Sequence, residues 1–151
     1  MKTLILGLGN PIRGDDAIGW VVAQKVYERV KDPGLFLHLA SVGGLYILDL
    51  LVGYNRAIIV DAAETGENKT GTLFRVEIGK ENIESSFYTM HQIGIFQALD
   101  LGRKLNLNLP EIINIYGIEV ENCQNYSEDL SSCVKNAVPQ IINQLCSEEF
   151  G

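Results

Sequence analysis

The chain has 151 residues, with 12 Lys and Arg against 19 Asp and Glu, for a net charge of −7. That acidic balance excludes a general nucleic-acid binder and a polybasic membrane-surface protein, since both need a cationic footprint. A hydrophobic content of 46% and a charged content of 21% are ordinary for a globular protein.

Thr3 to Leu8 is a short apolar run that closes on glycine, the pattern of a buried strand. Ile18, Val22, Val26 and Val30 recur every four residues and mark one helix face. Asp15 or Asp16 is placed to cap the first turn of that helix, and Pro33-Gly34 to stop it. Leu35 to Ala40 reads as a second strand. A second helix opens at Gly43-Gly44, runs through Leu51 and ends at Gly53. Arg56 to Val60 is a strongly apolar strand, and Thr65 to Thr70 a polar loop. Thr72 to Ile78 alternates as a strand with one exposed face. Residues 91–104 fit a helix with Ile95, Phe96 and Leu99 inward, and Glu111 to Ile118 is the last strand. Val134, Val138, Ile141, Ile142 and Leu145 form the stripe of a terminal helix, in which Pro139 predicts a kink. The order β-α-β-α-β-β-α-β-α predicts a mostly parallel five-stranded sheet with helices on both faces. Two strands in succession, at 56–60 and 72–78, require one antiparallel strand. No repeat or linker divides the chain, so 1–151 is read as a single domain, within the usual size of ~100–200 residues.

The N-terminal apolar run is too short for a signal peptide, and no stretch approaches the ~18 apolar residues of a membrane span. Cys123, Cys133 and Cys146 are odd in number and lack CxxC spacing, which argues against a disulfide scaffold or structural zinc. Buried or half-buried free thiols in a reducing cytoplasm are expected.

Ligands of open α/β sheets collect beyond the carboxyl ends of the parallel strands. That rule selects the segment from Gly7 to Asp16, the strand end at Val60-Asp61, His91 before a helix, and Gly117-Ile118-Glu119. Asp16, Asp61 and His91 then converge at one edge despite their separation in sequence. Two carboxylates and an imidazole suit a divalent metal with open coordination positions. Each residue also has a structural reading. Asp15 foremost, or Asp16, can serve as a helix cap. Asp61 is a partly buried carboxylate that needs a partner or an ion. A lone His91 can be purely structural, and His38, between Leu37 and Leu39 in a strand, is read that way. The segment GLGNPIRGDDAIG contains neither GxGxxG nor GxxxxGK(S/T), and Asp15-Asp16 would repel a phosphate, so no nucleotide site is expected there.

Taken together, four blocks resemble the hydrogenase maturation protease family, endopeptidases that trim the C-terminus of [NiFe]-hydrogenase large-subunit precursors. The first is Leu6-Gly7-Leu8-Gly9-Asn10-Pro11 with Gly14-Asp15-Asp16-Ala17-Ile18-Gly19. The second is Ala57-Ile58-Ile59-Val60-Asp61-Ala62-Ala63, followed by Gly66 and Gly71-Thr72-Leu73. His91-Gln92-Ile93-Gly94 is the third, and Gly117-Ile118-Glu119 with Leu130-Ser131 the fourth. They span nearly the whole chain in family order. One departure is Ala17, where the family often has glycine.

The resemblance implies a three-layer α/β/α sandwich with a mixed, mostly parallel five-stranded sheet of the phosphorylase/hydrolase-like kind. It implies a cytoplasmic, aspartyl-type endopeptidase whose nickel-contacting and catalytic positions fall on Asp16, Asp61 and His91. It also implies no permanent cofactor, because the nickel is supplied by the large-subunit precursor. Water is then activated either by the metal or by one Asp acting as general base. A Ser-His-Asp triad is unattractive, because with His91 on the metal only His38 is left as base. Two rival readings are a non-catalytic metal-binding docking module and a peptidyl-tRNA hydrolase-like enzyme. The latter shares the GLGNP opening but needs an early catalytic His and a basic face, and this chain has no His before His38. Loops at 65–70, 80–89 and 122–129 are the expected places for partner selection.

Overall fold

Strand β1 (Thr3–Leu8) is buried at all six positions. Such a run belongs at the centre of a sheet covered on both faces. The computed structural model describes residues 1–12, 14–41, 45–76, 92–121 and 129–151. In it β2 (Leu35–Ala40) and β3 (Arg56–Ala63) flank β1 in parallel. β5 (Ile112–Glu119) runs parallel to β3, and β4 (Leu73–Val76) pairs with β5 antiparallel. The order across the sheet is β2-β1-β3-β5-β4, the mixed sheet with one antiparallel strand that the element order required.

Helices α1 (Ile18–Val30) and α4 (Ser132–Phe150) cover one face, where Ile18, Val22 and Ile141 pack with Ile5, Ile58 and Val60. Helices α2 (Tyr46–Leu51) and α3 (Gln92–Lys104) cover the other, where Ile47, Leu51, Ile95 and Leu99 pack with Leu4, Leu6 and Ile59. The alternation along each strand thus feeds two cores, which makes the three-layer sandwich. Each fully buried Leu or Ile contributes roughly 1.5–3 kcal/mol.

The buried residues of α4 are the five of the predicted stripe. The helix is continuous through Pro139, whose ring nitrogen leaves the Lys135 carbonyl without its usual donor. Its far end is anchored by Glu149, whose side chain is 4% exposed and pairs with Arg56. Glu149 also accepts from Asn114 Nδ2 at 2.6 Å and from the Tyr116 hydroxyl at 3.1 Å. Burial first, and the Glu149 charge second, push the Tyr116 pKa well above that of a free tyrosine.

Several boundaries differ from the sequence expectation. β3 continues past Val60 to Ala63, so Asp61 lies within the strand rather than at its end. The cause is tertiary: β5 pairs Asp61 with Gly117, Ala62 with Ile118 and Ala63 with Glu119, overriding the break that a charged residue suggests. α2 begins at Tyr46, and the predicted opening at Gly43-Gly44 lies outside the described residues. Ile78 and Cys123 also lie outside them. Cys146 is a half-buried free thiol as expected, but Cys133 is exposed, because it sits on the solvent side of the first turn of α4. Among the described residues no helix is long and apolar enough to cross a membrane.

Candidate functional site

From β1 the chain crosses one face through α1 to reach β2, then returns across the other face through α2 to reach β3. The connections therefore diverge between β1 and β3, and the carboxyl edge there is the expected ligand crevice.

Asp16 enters that crevice on a single 3-10 turn, Gly14–Ala17, between β1 and α1. The turn starts at Gly14 with φ 58°, a conformation that favours glycine. Close approach fixes its position. A Cβ on Gly9 would overlap the Asp16 carbonyl oxygen, and one on Gly19 would overlap the Leu8 and Val60 carbonyls. Glycine at both places lets the turn and the start of α1 rest on the ends of β1 and β3. Ala17 has φ −78°, so no glycine is needed there.

Asp61 is fully buried in β3. It follows Val60, whose carbonyl lies against Gly19, and by strand alternation its side chain shares the face of Ile59 beneath α2 and α3. Its Oδ1 accepts the Ala62 N–H at 2.8 Å, which sets the carboxylate plane. The 3-10 turn packs directly on β3. The fold therefore brings Asp16 and Asp61, 45 positions apart in sequence, to the same edge (61 − 16 = 45). The third predicted residue, His91, lies outside the described residues. Its sequence neighbour Gln92 begins α3, which packs on the face that holds Asp61. His38 is exposed on the edge strand β2.

Asp15 corrects an expectation. It does not cap α1, whose first turn has no side-chain cap and follows Ala17. Instead its carboxylate accepts the backbone N–H of Ser131 at 2.6 Å and the Ser131 hydroxyl at 2.8 Å. The 3-10 turn carries Asp15 out of capping position and toward Ser131, the residue just before α4.

Glu119 is a residue to which the sequence assigned no role. It ends β5, is 2% exposed, and accepts the Thr65 N–H at 2.9 Å, the Thr65 hydroxyl and the Gly66 N–H at 3.4 Å. Those bonds fold the 64–70 loop over the end of the sheet. The strand-end rule selects Glu119 together with Gly117 and Ile118, but only the hydrogen bonds to the loop show what it does. Beside it lies a cleft of about 600 Å³, lined by the 64–70 loop, residues 119–121 and Cys133.

The electrostatic character of the edge is consistent. Among the described residues the charged ones buried as whole residues, backbone included, are Asp15, Asp16, Asp61 and Glu119, all carboxylates. All four stand at the carboxyl edge of the sheet or on the turn seated there. Gathering buried anions is costly unless donors or a cation meet them. Asp15 and Glu119 are held by hydroxyl and amide donors. Asp16 and Asp61 flank the crevice with the oxygen donors that a divalent cation prefers, and a carboxylate there can also take a proton from water. Among the described residues no three His, Cys, Asp or Glu side chains form a metal site by themselves.

Comparison with known proteins adds an independent finding. The family model for hydrogenase maturation protease (HycI) matches residues 21–148. The Hydrogenase 2 maturation protease of Escherichia coli (strain K12) is 23% identical over 152 residues, covering 96% of this chain and 91% of that protein. Among solved structures, the hydrogenase maturating endopeptidase HybD from E. coli aligns with a TM-score of 0.80 at 21% identity, over 98% of this chain and 91% of its own. The [NiFe] hydrogenase maturation protease HybD from Thermococcus kodakarensis aligns with a TM-score of 0.70 at 23% identity, over 98% and 99%. At those identities the structural likenesses establish a common fold.

Proposed function

The chain belongs to the hydrogenase maturation protease family and is a peptide hydrolase, and from that premise we propose that it removes a short C-terminal extension from the nickel-loaded large-subunit precursor of a [NiFe]-hydrogenase. Asp16, Asp61 and His91 contact the nickel, which arrives as part of the substrate and is not a resident cofactor. The observation that carries this reading is the set of four buried carboxylates at one edge of the sheet. Asp16 and Asp61 supply hard anionic oxygens to the incoming cation, and His91 supplies a nitrogen donor. Contact with the metal registers the scissile peptide bond against the same carboxylates. The attacking water is activated by the metal or by one Asp as base. The cleft beside the 64–70 loop is where the partner's chain is selected. The reaction takes place in the cytoplasm, where the free thiols Cys133 and Cys146 stay reduced.

Incubation with nickel-loaded and nickel-free precursor, followed by the mass of the large subunit, tests the proposal. Shortening of the loaded form alone is expected. Equal shortening of both forms would remove nickel recognition from the account. Binding of the precursor with no shortening would mark a docking module instead.

A further inference from the structure

The turn that carries Asp16 is held in an unusual way. It is one turn of 3-10 helix, with poorer hydrogen-bond geometry than an α-helix, and no side chain caps the helix that follows it. The fastening comes from outside. Asp15, 6% exposed, takes the two donors of Ser131 on two different oxygens, N–H on Oδ1 at 2.6 Å and hydroxyl on Oδ2 at 2.8 Å. Two-point contact fixes the carboxylate against rotation. Ser131 is itself well placed to hold it. It precedes the first residue of α4, a helix of 19 residues whose other end is tied to the sheet through Glu149 and Arg56. The partners are 116 residues apart in sequence, so the contact closes the fold at the site.

We infer that Asp15 is a positioning residue for the peptidase reaction: through Ser131 it locks the turn against α4 and so fixes where Asp16 points. The inference rests on the reading of Asp16 as a substrate-contacting residue. A misplacement of about 1 Å at a reacting group can cost roughly 100-fold in rate. Loosening the clamp therefore lowers kcat while leaving KM for the precursor, which is set by the wider contact surface.

The test is steady-state processing of nickel-loaded precursor by the wild type and by Asp16→Asn, Asp15→Ala, Asp15→Asn and Ser131→Ala, well below each variant's Tm. Asp15→Ala is expected to lose about 10–100-fold in kcat with KM unchanged. Asp15→Asn keeps an acceptor for the Ser131 N–H and offers its amide to the hydroxyl oxygen, so it should restore most of the rate. Ser131→Ala should lose severalfold, and combining it with Asp15→Ala should add little. If Asp15→Ala does not fold, Ser131→Ala decides, and a wild-type kcat there overturns the inference. Equal losses in Asp15→Asn and Asp15→Ala would also overturn it, because the charge itself would then be acting. Wild-type kcat in Asp15→Ala beside an inactive Asp16→Asn defeats the clamp and spares the site. An active Asp16→Asn defeats the reading of the site, and the inference with it.

Discussion

Buried carboxylates occur at two places in this molecule, and they are treated differently. On the α1/α4 face Glu149 meets a guanidinium, an amide and a phenol, so its charge is balanced within the chain. At the carboxyl edge of the sheet Asp15, Asp16, Asp61 and Glu119 are gathered, four anions within one small region. The first arrangement ties a helix end to the sheet. The second concentrates negative charge where an α/β sheet binds its ligand. Neutralising Asp16 or Asp61 should therefore harm function at the edge, whereas removing a partner at Glu149 should harm stability.

The largest effect is expected at the edge. Asp16→Asn and Asp61→Asn should each lower precursor processing by about 100-fold or more, as loss of a group that positions and stabilises the reacting centre does. Their thermal midpoints should change little, because Asn keeps the shape of Asp and one acceptor oxygen. A fall in midpoint as large as the fall in rate would erase the contrast. At the other place Arg56→Ala leaves Glu149 buried without its cation. It should cost about 3 kcal/mol in denaturant unfolding, while the folded fraction processes precursor at the normal rate.

A smaller effect is expected from Glu119→Ala, about 1–3 kcal/mol of local rather than global stability. Hydrogen exchange at the Thr65 and Gly66 amides should accelerate, with core strand amides unchanged. The smallest concerns Tyr116. Its folded pKa is raised, by burial first and Glu149 second, above an unfolded value of about 10. The stability it contributes is full below pH ~10 and is lost as pH rises toward the folded value. Tyr116→Phe should lose about 1 kcal/mol at neutral pH and flatten the decline of Tm above pH 10.

The layered architecture is legible in the sequence because it rests on local periodicity. The Val134 to Leu145 stripe and the apolar run Thr3–Leu8 each commit to one burial pattern, and the structure realises both. The end of β3 could not be read that way, since the partners that extend it to Ala63 come from β5, more than fifty residues later. The candidate site divides along the same line. Asp16 and Asp61 follow from strand order and the edge rule, and the fold carries both to the same edge of the sheet. Asp15 was misread as a local cap because its partner, Ser131, is remote in sequence and no local pattern announces it. The edge rule reaches Glu119 but gives it no role, because a single Glu at a strand end looks like any solvated acid until the 64–70 loop folds back on it.

The central claim is that the carboxylates of Asp16 and Asp61 meet the substrate's nickel. X-ray absorption at the nickel edge measures this directly, comparing nickel-loaded precursor alone with the same precursor freeze-trapped on the protein within the first turnover. The account predicts added oxygen and nitrogen ligands in the complex, with the oxygen contribution reduced in Asp61→Asn. A nickel coordination shell identical in the free and bound precursor would contradict it.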